Sequence, residues 1–184
     1  MEGKEIIRKK YLVKRKKKYF DTKKKIFDPL INFLKKRKFN NLALYYPTSY
    51  ELNILNILEV EFLKKTKFLL PIINDKYSMH FYEWKKKDVL NVNKYGILEP
   101  IKSKPIIPDI ILVPLLAFDK FKNRLGYGKG FYDKFLKKNH KNKRKIISIG
   151  VAFSFQKYHK LPTNSKDVKL DYIITEKGIV KWKS

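Results

Sequence analysis

The stretch Pro108 to Leu136, PDIILVPLLAFDKFKNRLGYGKGFYDKFL, constrains this chain more than any other. It joins an apolar run, Ile110 to Phe118, to a polar turn and then to Gly126, Gly128 and Gly130, each separated by one residue. An amphipathic segment from Phe131 to Lys138 follows at once. Strand, glycine-rich turn and helix start together form an architecture for holding phosphate. Backbone N–H groups point outward at such a turn, and the helix dipole adds about half a positive charge. The spacing matches neither common phosphate motif. A P-loop would need glycine at 123, where Asn stands, and Ser or Thr at 130; the dinucleotide fingerprint G-x-G-x-x-G also fails.

The residues around the glycines add chemistry. Arg124, Lys129 and Lys134 supply cations, and Tyr127, Phe131 and Tyr132 supply flat faces for stacking. Asp133 places a carboxylate at the helix start, where Mg²⁺ would relieve its repulsion from a nucleotide. A second acid could come from Asp167 or Asp171. His80, His140 and His159 are scattered without metal-ligand spacing, and no G-x-S-x-G is present.

Elsewhere the chain alternates between strand and helix signals. Lys4 to Tyr19 reads as a basic helix, with Lys4 and Arg8 on one face because they stand four apart. A second helix reaches to about Lys38, capped by Asp21 or Thr22, or by Asp28 if Pro29 marks its start. Leu42 to Tyr46 is a short buried strand. A helix is expected from near Ser49 to Lys65, with Glu51 in its first turn. Phe68 to Ile73 and an exposed strand, Met79 to Trp84, form a hairpin. Lys85 to Lys104 reads as an irregular surface excursion, and Asn139 to Lys145 as a basic loop. Ile146 to Phe153, Tyr172 to Thr175 and Ile179 to Trp182 supply further strands. The fold class expected is α/β, residues 1–184 forming a single three-layer domain whose mostly parallel central sheet is covered by helices on both faces.

Composition sets limits. With 184 residues, 43% hydrophobic, the chain can bury a real core. Cysteine is absent, which excludes disulfides, thiolate metal sites and cysteine nucleophiles. No apolar run reaches the roughly 18 residues of a membrane span. The N-terminus is charged, with Lys4 and the residues after it, and has no apolar leader, so no secretory signal, no membrane association and a cytoplasmic location are expected. The net charge of +27 invites a nucleic-acid reading. Lysine is spread evenly, however, and arginine stands only at 8, 15, 37, 124 and 144, so no specific nucleic-acid partner is expected.

ILVPLLAFD followed by NRLGYGKGFYDKFL resembles the 5-formyltetrahydrofolate cyclo-ligase family, also called 5,10-methenyltetrahydrofolate synthetase. Weaker similarity extends over nearly the whole chain through Lys4-xxx-Arg8, ALYYPTSYE, LLPII, GILEP, GVAFSFQ and DVKLDYIITEKGI. The resemblance implies ATP-dependent conversion of 5-formyltetrahydrofolate to 5,10-methenyltetrahydrofolate through a phosphorylated formyl group, releasing ADP and phosphate with Mg²⁺. It implies ATP binding by Lys4, Arg8 and the run Arg124, Leu125, Gly126, Tyr127, Gly128, Lys129, Gly130, Phe131 and Tyr132, with Lys129 and Arg124 catalytic. Tyr46, Glu51 and Tyr127 to Phe131 would border the folate, and Asp133 and Asp167 would hold Mg²⁺. A monomer is expected. The chain departs from the family's usual pattern at Leu115, Lys122, Phe131 and Lys166; Leu115 replaces a glycine and is expected to add bulk beside the pocket.

Overall fold

The computed structural model describes residues 2–19, 27–74 and 78–180. Eleven strands and three α-helices are present among them. The helices are α1 (Lys4–Lys18), α2 (Asp28–Lys35) and α3 (Phe131–Lys141). Five strands lie side by side in parallel at the centre of a mixed sheet: β10 (Tyr172–Thr175), β9 (Ile147–Val151), β6 (Ile110–Pro114), β1 (Asn41–Ala43) and β2 (Lys67–Ile73). β11 (Gly178–Ile179) and β3 (Met79–Glu83) close the two edges antiparallel, giving seven strands in order 11-10-9-6-1-2-3.

Alternation along the strands divides the core. Leu42, Leu44, Ile110, Leu112, Ile149 and Ile174 share one apolar cluster with Leu30, Phe33 and Leu34 of α2. Ala43, Ile111, Val113 and Ile173 share another with Phe135 and Leu136 of α3. Successive residues of a strand face opposite sides, so α2 and α3 pack against different strand residues. α1 packs separately through Ile7 and Tyr11, and Tyr11 donates its hydroxyl to the Lys157 carbonyl at 2.8 Å. No described helix is long and apolar enough to cross a membrane.

Several local expectations are corrected. Asp28 is the first residue of α2 and Phe27 its cap; the helix ends at Lys35, short of Lys38. Asp21 and Thr22 lie outside the described residues, as does the end of the segment Ile179 to Trp182. Instead of an α-helix from Ser49 to Lys65, the chain makes 3-10 turns at Ile54–Glu59 and Glu61–Leu63. Ser49 and Tyr50 have positive φ, 47° and 63°, Asn53 caps the Leu55 N–H with its side chain, and Val60 is extended. These local choices break the helix three times. β3 is an edge strand but not an exposed one: Met79, Phe81 and Tyr82 are buried. The stretch after it holds a hairpin, β4 (Leu90–Val92) with β5 (Leu98–Pro100). α3 continues to Lys141, beyond the expected start of the basic loop.

The opening stretch also differs in detail. β6 does not lead straight into the glycine turn. A small hairpin intervenes, β7 (Ala117–Phe118) with β8 (Arg124–Leu125). Buried Asp119 builds it by accepting hydrogen bonds from the N–H groups of Phe121, Asn123 and Leu161 and from the Asn123 amide.

Candidate functional site

β1 is flanked by β2 on one side and β6 on the other, so the chain reverses its direction of winding there. In parallel sheets ligands bind beyond the carboxyl ends of strands at such a point. A cavity of about 780 Å³ lies there, lined by Tyr45 and Tyr46 after β1, Ile73 of β2, Pro114 of β6, the glycine turn and the first turn of α3.

The glycine turn forms its cationic wall. Gly128 has φ +98°, a conformation that favours glycine, and a Cβ there would lie 3.1 Å from the Arg8 guanidinium carbon, a tight contact with that side chain. Arg8 donates from Nε to the Gly126 carbonyl at 3.0 Å and from its terminal nitrogen to Glu5. Gly130 precedes α3, and no side-chain hydrogen bond caps the helix, which leaves its first N–H groups for a ligand. Lys129 is exposed, its ammonium 5.7 Å from the centre of the Tyr95 ring. Arg124 is different. Its side chain is 5% exposed, donates to the Val168 carbonyl at 2.8 Å and lies 2.8 Å from Asp133. Burial lowers its pKa, while Asp133 acts in the opposite direction.

The two carboxylates expected at a metal sit in the same cavity. Asp133 accepts the Val168 N–H on the oxygen that faces Arg124. Asp167 pairs with Lys4 at 2.6 Å and accepts the Asn164 N–H, both on Oδ2. Asp171 does not line the cavity. It accepts from the Ser148 N–H and hydroxyl at 2.8 and 2.7 Å, which ties β10 to β9.

Glu51 lines the same cavity, directly against the turn. It is 6% exposed and held by the loop after β1. Its Oε2 accepts the Thr48 N–H at 2.9 Å, and its Oε1 accepts the Tyr127 hydroxyl at 2.8 Å. Burial raises its pKa, against the pull of Thr48, Arg15 and Tyr127. Tyr127 keeps an open ring face at 43% exposure, and burial pushes its phenol upward, with Glu51 acting the same way. Tyr132 and Tyr45 are also raised, mainly by burial and then by Glu51.

Every residue expected at the site, from Lys4 and Arg8 through Tyr46 and Glu51 to Asp133 and Asp167, borders this one cavity. Leu115 does not. It is 2% exposed and its side chain fills the space above Gly150, where a Cβ would lie 2.8 Å from Leu115 Cδ2. Its bulk therefore enters the core and leaves the cavity unobstructed.

Three residues near the site escaped the sequence reading. Tyr95 stands at the tip of the β4–β5 hairpin, 6.2 Å from the Phe131 ring centre, in a stretch taken for a surface excursion. Glu99 anchors that hairpin, accepting from the Ile73 N–H and the Asn93 amide. Arg15 is 1% exposed and reaches the Tyr127 hydroxyl from α1. Its signal was present in the spacing: position 15 follows Arg8 by seven residues, two helical turns on the same face.

A profile of the 5-formyltetrahydrofolate cyclo-ligase family matches residues 1–176. The 5-formyltetrahydrofolate cyclo-ligase of Mycoplasma genitalium is 34% identical over 182 residues, covering 95% of this chain and 98% of its own. That of Haemophilus influenzae is 33% identical over 147 residues, covering 76% and 78%. The NMR structure of Aquifex aeolicus 5,10-methenyltetrahydrofolate synthetase matches with a TM-score of 0.78 at 32% identity, over 98% of this chain and 93% of that one. The corresponding Mycoplasma pneumoniae synthetase gives 0.74 at 28% identity, over 95% and 99%.

Proposed function

The chain belongs to the 5-formyltetrahydrofolate cyclo-ligase family, and we propose that it carries out the reaction named for that family. It would use ATP to close 5-formyltetrahydrofolate to 5,10-methenyltetrahydrofolate, releasing ADP and phosphate. The carrying observation is that one cavity pairs a buried carboxylate, Glu51, with a cationic glycine turn. The first suits the amino-pyrimidine edge of a pterin, which donates N–H bonds. The second suits a polyphosphate. A molecule spanning the cavity would meet ATP at the turn.

The oxygen of a formyl group on nitrogen is amide-like and a poor leaving group. Transfer of the γ-phosphoryl to that oxygen makes it a good one; N10 then attacks the activated carbon and phosphate departs. Positioning and charge neutralisation dominate such steps. Lys129 can follow the phosphates because its ammonium is exposed. Lys4 and Arg8 approach from α1. Arg124, pinned between Val168 and Asp133, orients Asp133 and adds fixed positive charge behind the turn. Tyr127, Phe131 and Tyr95 offer flat faces to a ring.

The donor set fits a hard cation. The contacts described for Asp133 and Asp167 fall on one oxygen each, leaving the other for coordination. Mg²⁺ bound there would neutralise phosphate charge. We also read residues 1–184 as a single monomeric domain, with α2 and α3 as outer layers on opposite faces of the sheet.

The test is optical. Protein mixed with 5-formyltetrahydrofolate, ATP and Mg²⁺ should raise the near-ultraviolet absorbance of the methenyl product. An absence of any ATP-dependent rise overturns the proposal.

A further inference from the structure

Arg15 lies outside the cavity lining, yet it is among the largest fully buried side chains of the chain. Burying a guanidinium without full pairing is costly, so its position calls for a reason. One terminal nitrogen lies 3.4 Å from the Leu115 carbonyl, the other donates to the Tyr127 hydroxyl, and Nε has no partner among the described residues. The guanidinium carbon sits 5.6 Å from the Tyr127 ring centre.

These contacts have a direction. Arginine can only donate, so the Tyr127 oxygen accepts from Arg15 and its own proton must go elsewhere. It goes to Glu51 Oε1 at 2.8 Å. With Thr48 on Oε2, both oxygens of Glu51 are then held from below. We infer that Arg15 is a positioning residue which, acting through Tyr127, holds Glu51 aimed into the cavity. The inference rests on the reading of Glu51 as the acceptor for the substrate's heterocycle.

The groups facing Glu51 come from every neighbouring element: Thr48 from its own loop, Tyr45 from the segment after β1, Tyr127 from the glycine turn, Tyr132 from α3 and Arg15 from α1. Among these, Arg15 brings the formal positive charge. Burial raises the Glu51 pKa and Arg15 opposes it, so removing Arg15 must raise it further. A smaller share of Glu51 would then be ionised at a given acid pH, with weaker acceptance of N–H bonds. Affinity for 5-formyltetrahydrofolate should fall on the acid side and recover as pH rises.

The experiment compares wild type, Arg15→Gln, Arg15→Lys and Tyr127→Phe. Equilibrium binding of 5-formyltetrahydrofolate, followed by intrinsic fluorescence, and KM and kcat are measured from acid to mildly alkaline pH. Arg15→Gln should move the acid limb of affinity to higher pH and raise KM there by roughly tenfold or more, leaving the KM for ATP unchanged. Arg15→Lys should keep the limb near wild type, since it keeps the charge. Tyr127→Phe should shift it upward. A folded Arg15→Gln with an unmoved limb, or a pH-independent loss of kcat alone, overturns the inference. If Arg15→Gln does not fold, the other two variants decide, and a shifted Lys limb with an unmoved Phe limb overturns it. Wild-type turnover with an unmoved limb removes only the role of Arg15; a wild type that neither binds nor turns over removes the proposed reaction as well.

Discussion

Lys129 stands in water beside the Tyr95 ring, whereas Glu51, 6% exposed, and Arg15 behind it, 1% exposed, are largely shielded from it. Lys129 and Glu51 both offer charge to a ligand, but at different cost. An exposed lysine interacts through a high dielectric, and its removal disturbs little of the folded protein. A buried carboxylate is desolvated already and must be held by donors, so it recognises a ligand strongly and is costly to disturb. The rim of the site is therefore separable from the fold, and its floor is not.

The largest expected effect tests the floor. Glu51→Gln should weaken 5-formyltetrahydrofolate binding by about 100-fold, the order of a charged hydrogen bond lost in a buried setting, with ATP affinity little changed; titration calorimetry reads both. Equal losses for both ligands would show that rim and floor are not distinct. Next, Lys129→Ala should lower turnover about tenfold or more at unchanged thermal stability, whereas Lys138→Ala, which also removes one charge but lies away from the main cavity, should leave turnover intact. Equal effects would mean that net charge, not the turn, is at work.

A smaller effect separates core from cavity. Gly150→Ala forces a Cβ to within 2.7 Å of Leu170 Cδ1 and 2.8 Å of Leu115 Cδ2, and should cost about 1–3 kcal/mol in denaturant unfolding. In a Leu115→Ala background the added cost should shrink, because one of the two clashes is gone. Smallest is Lys4→Met. Its ion pair with Asp167 is partly exposed, at 25% and 27%, so stability should change by less than about 1 kcal/mol.

Legibility followed the range of the interactions. The glycine turn, its cations and Asp133 sit within about ten residues of one another, and local spacing was enough to see them. The central parallel strands were also plain, because each is a short apolar run. The segment from Ser49 to Lys65 misled, since its apolar residues recur at helical spacing. Left-handed Ser49 and Tyr50, the Asn53 cap and extended Val60 are choices that spacing does not reveal. Leu115 misled for a related reason: a bulky residue at a pocket's edge and one facing the core are identical in sequence, and Gly150, 35 positions on, makes the room.

Sequence by itself determined which charged and aromatic residues stand at the glycine turn and the class of the sheet, because both are written in neighbouring residues. Only the tertiary structure decided that the turn, Glu51 and the β4–β5 hairpin share one cavity, that Asp167 rather than Asp171 borders it, and that Arg15 stands behind Glu51. Those relations join residues far apart in the chain, and a buried charge can be recognised as paired only when the groups that replace its water are in view.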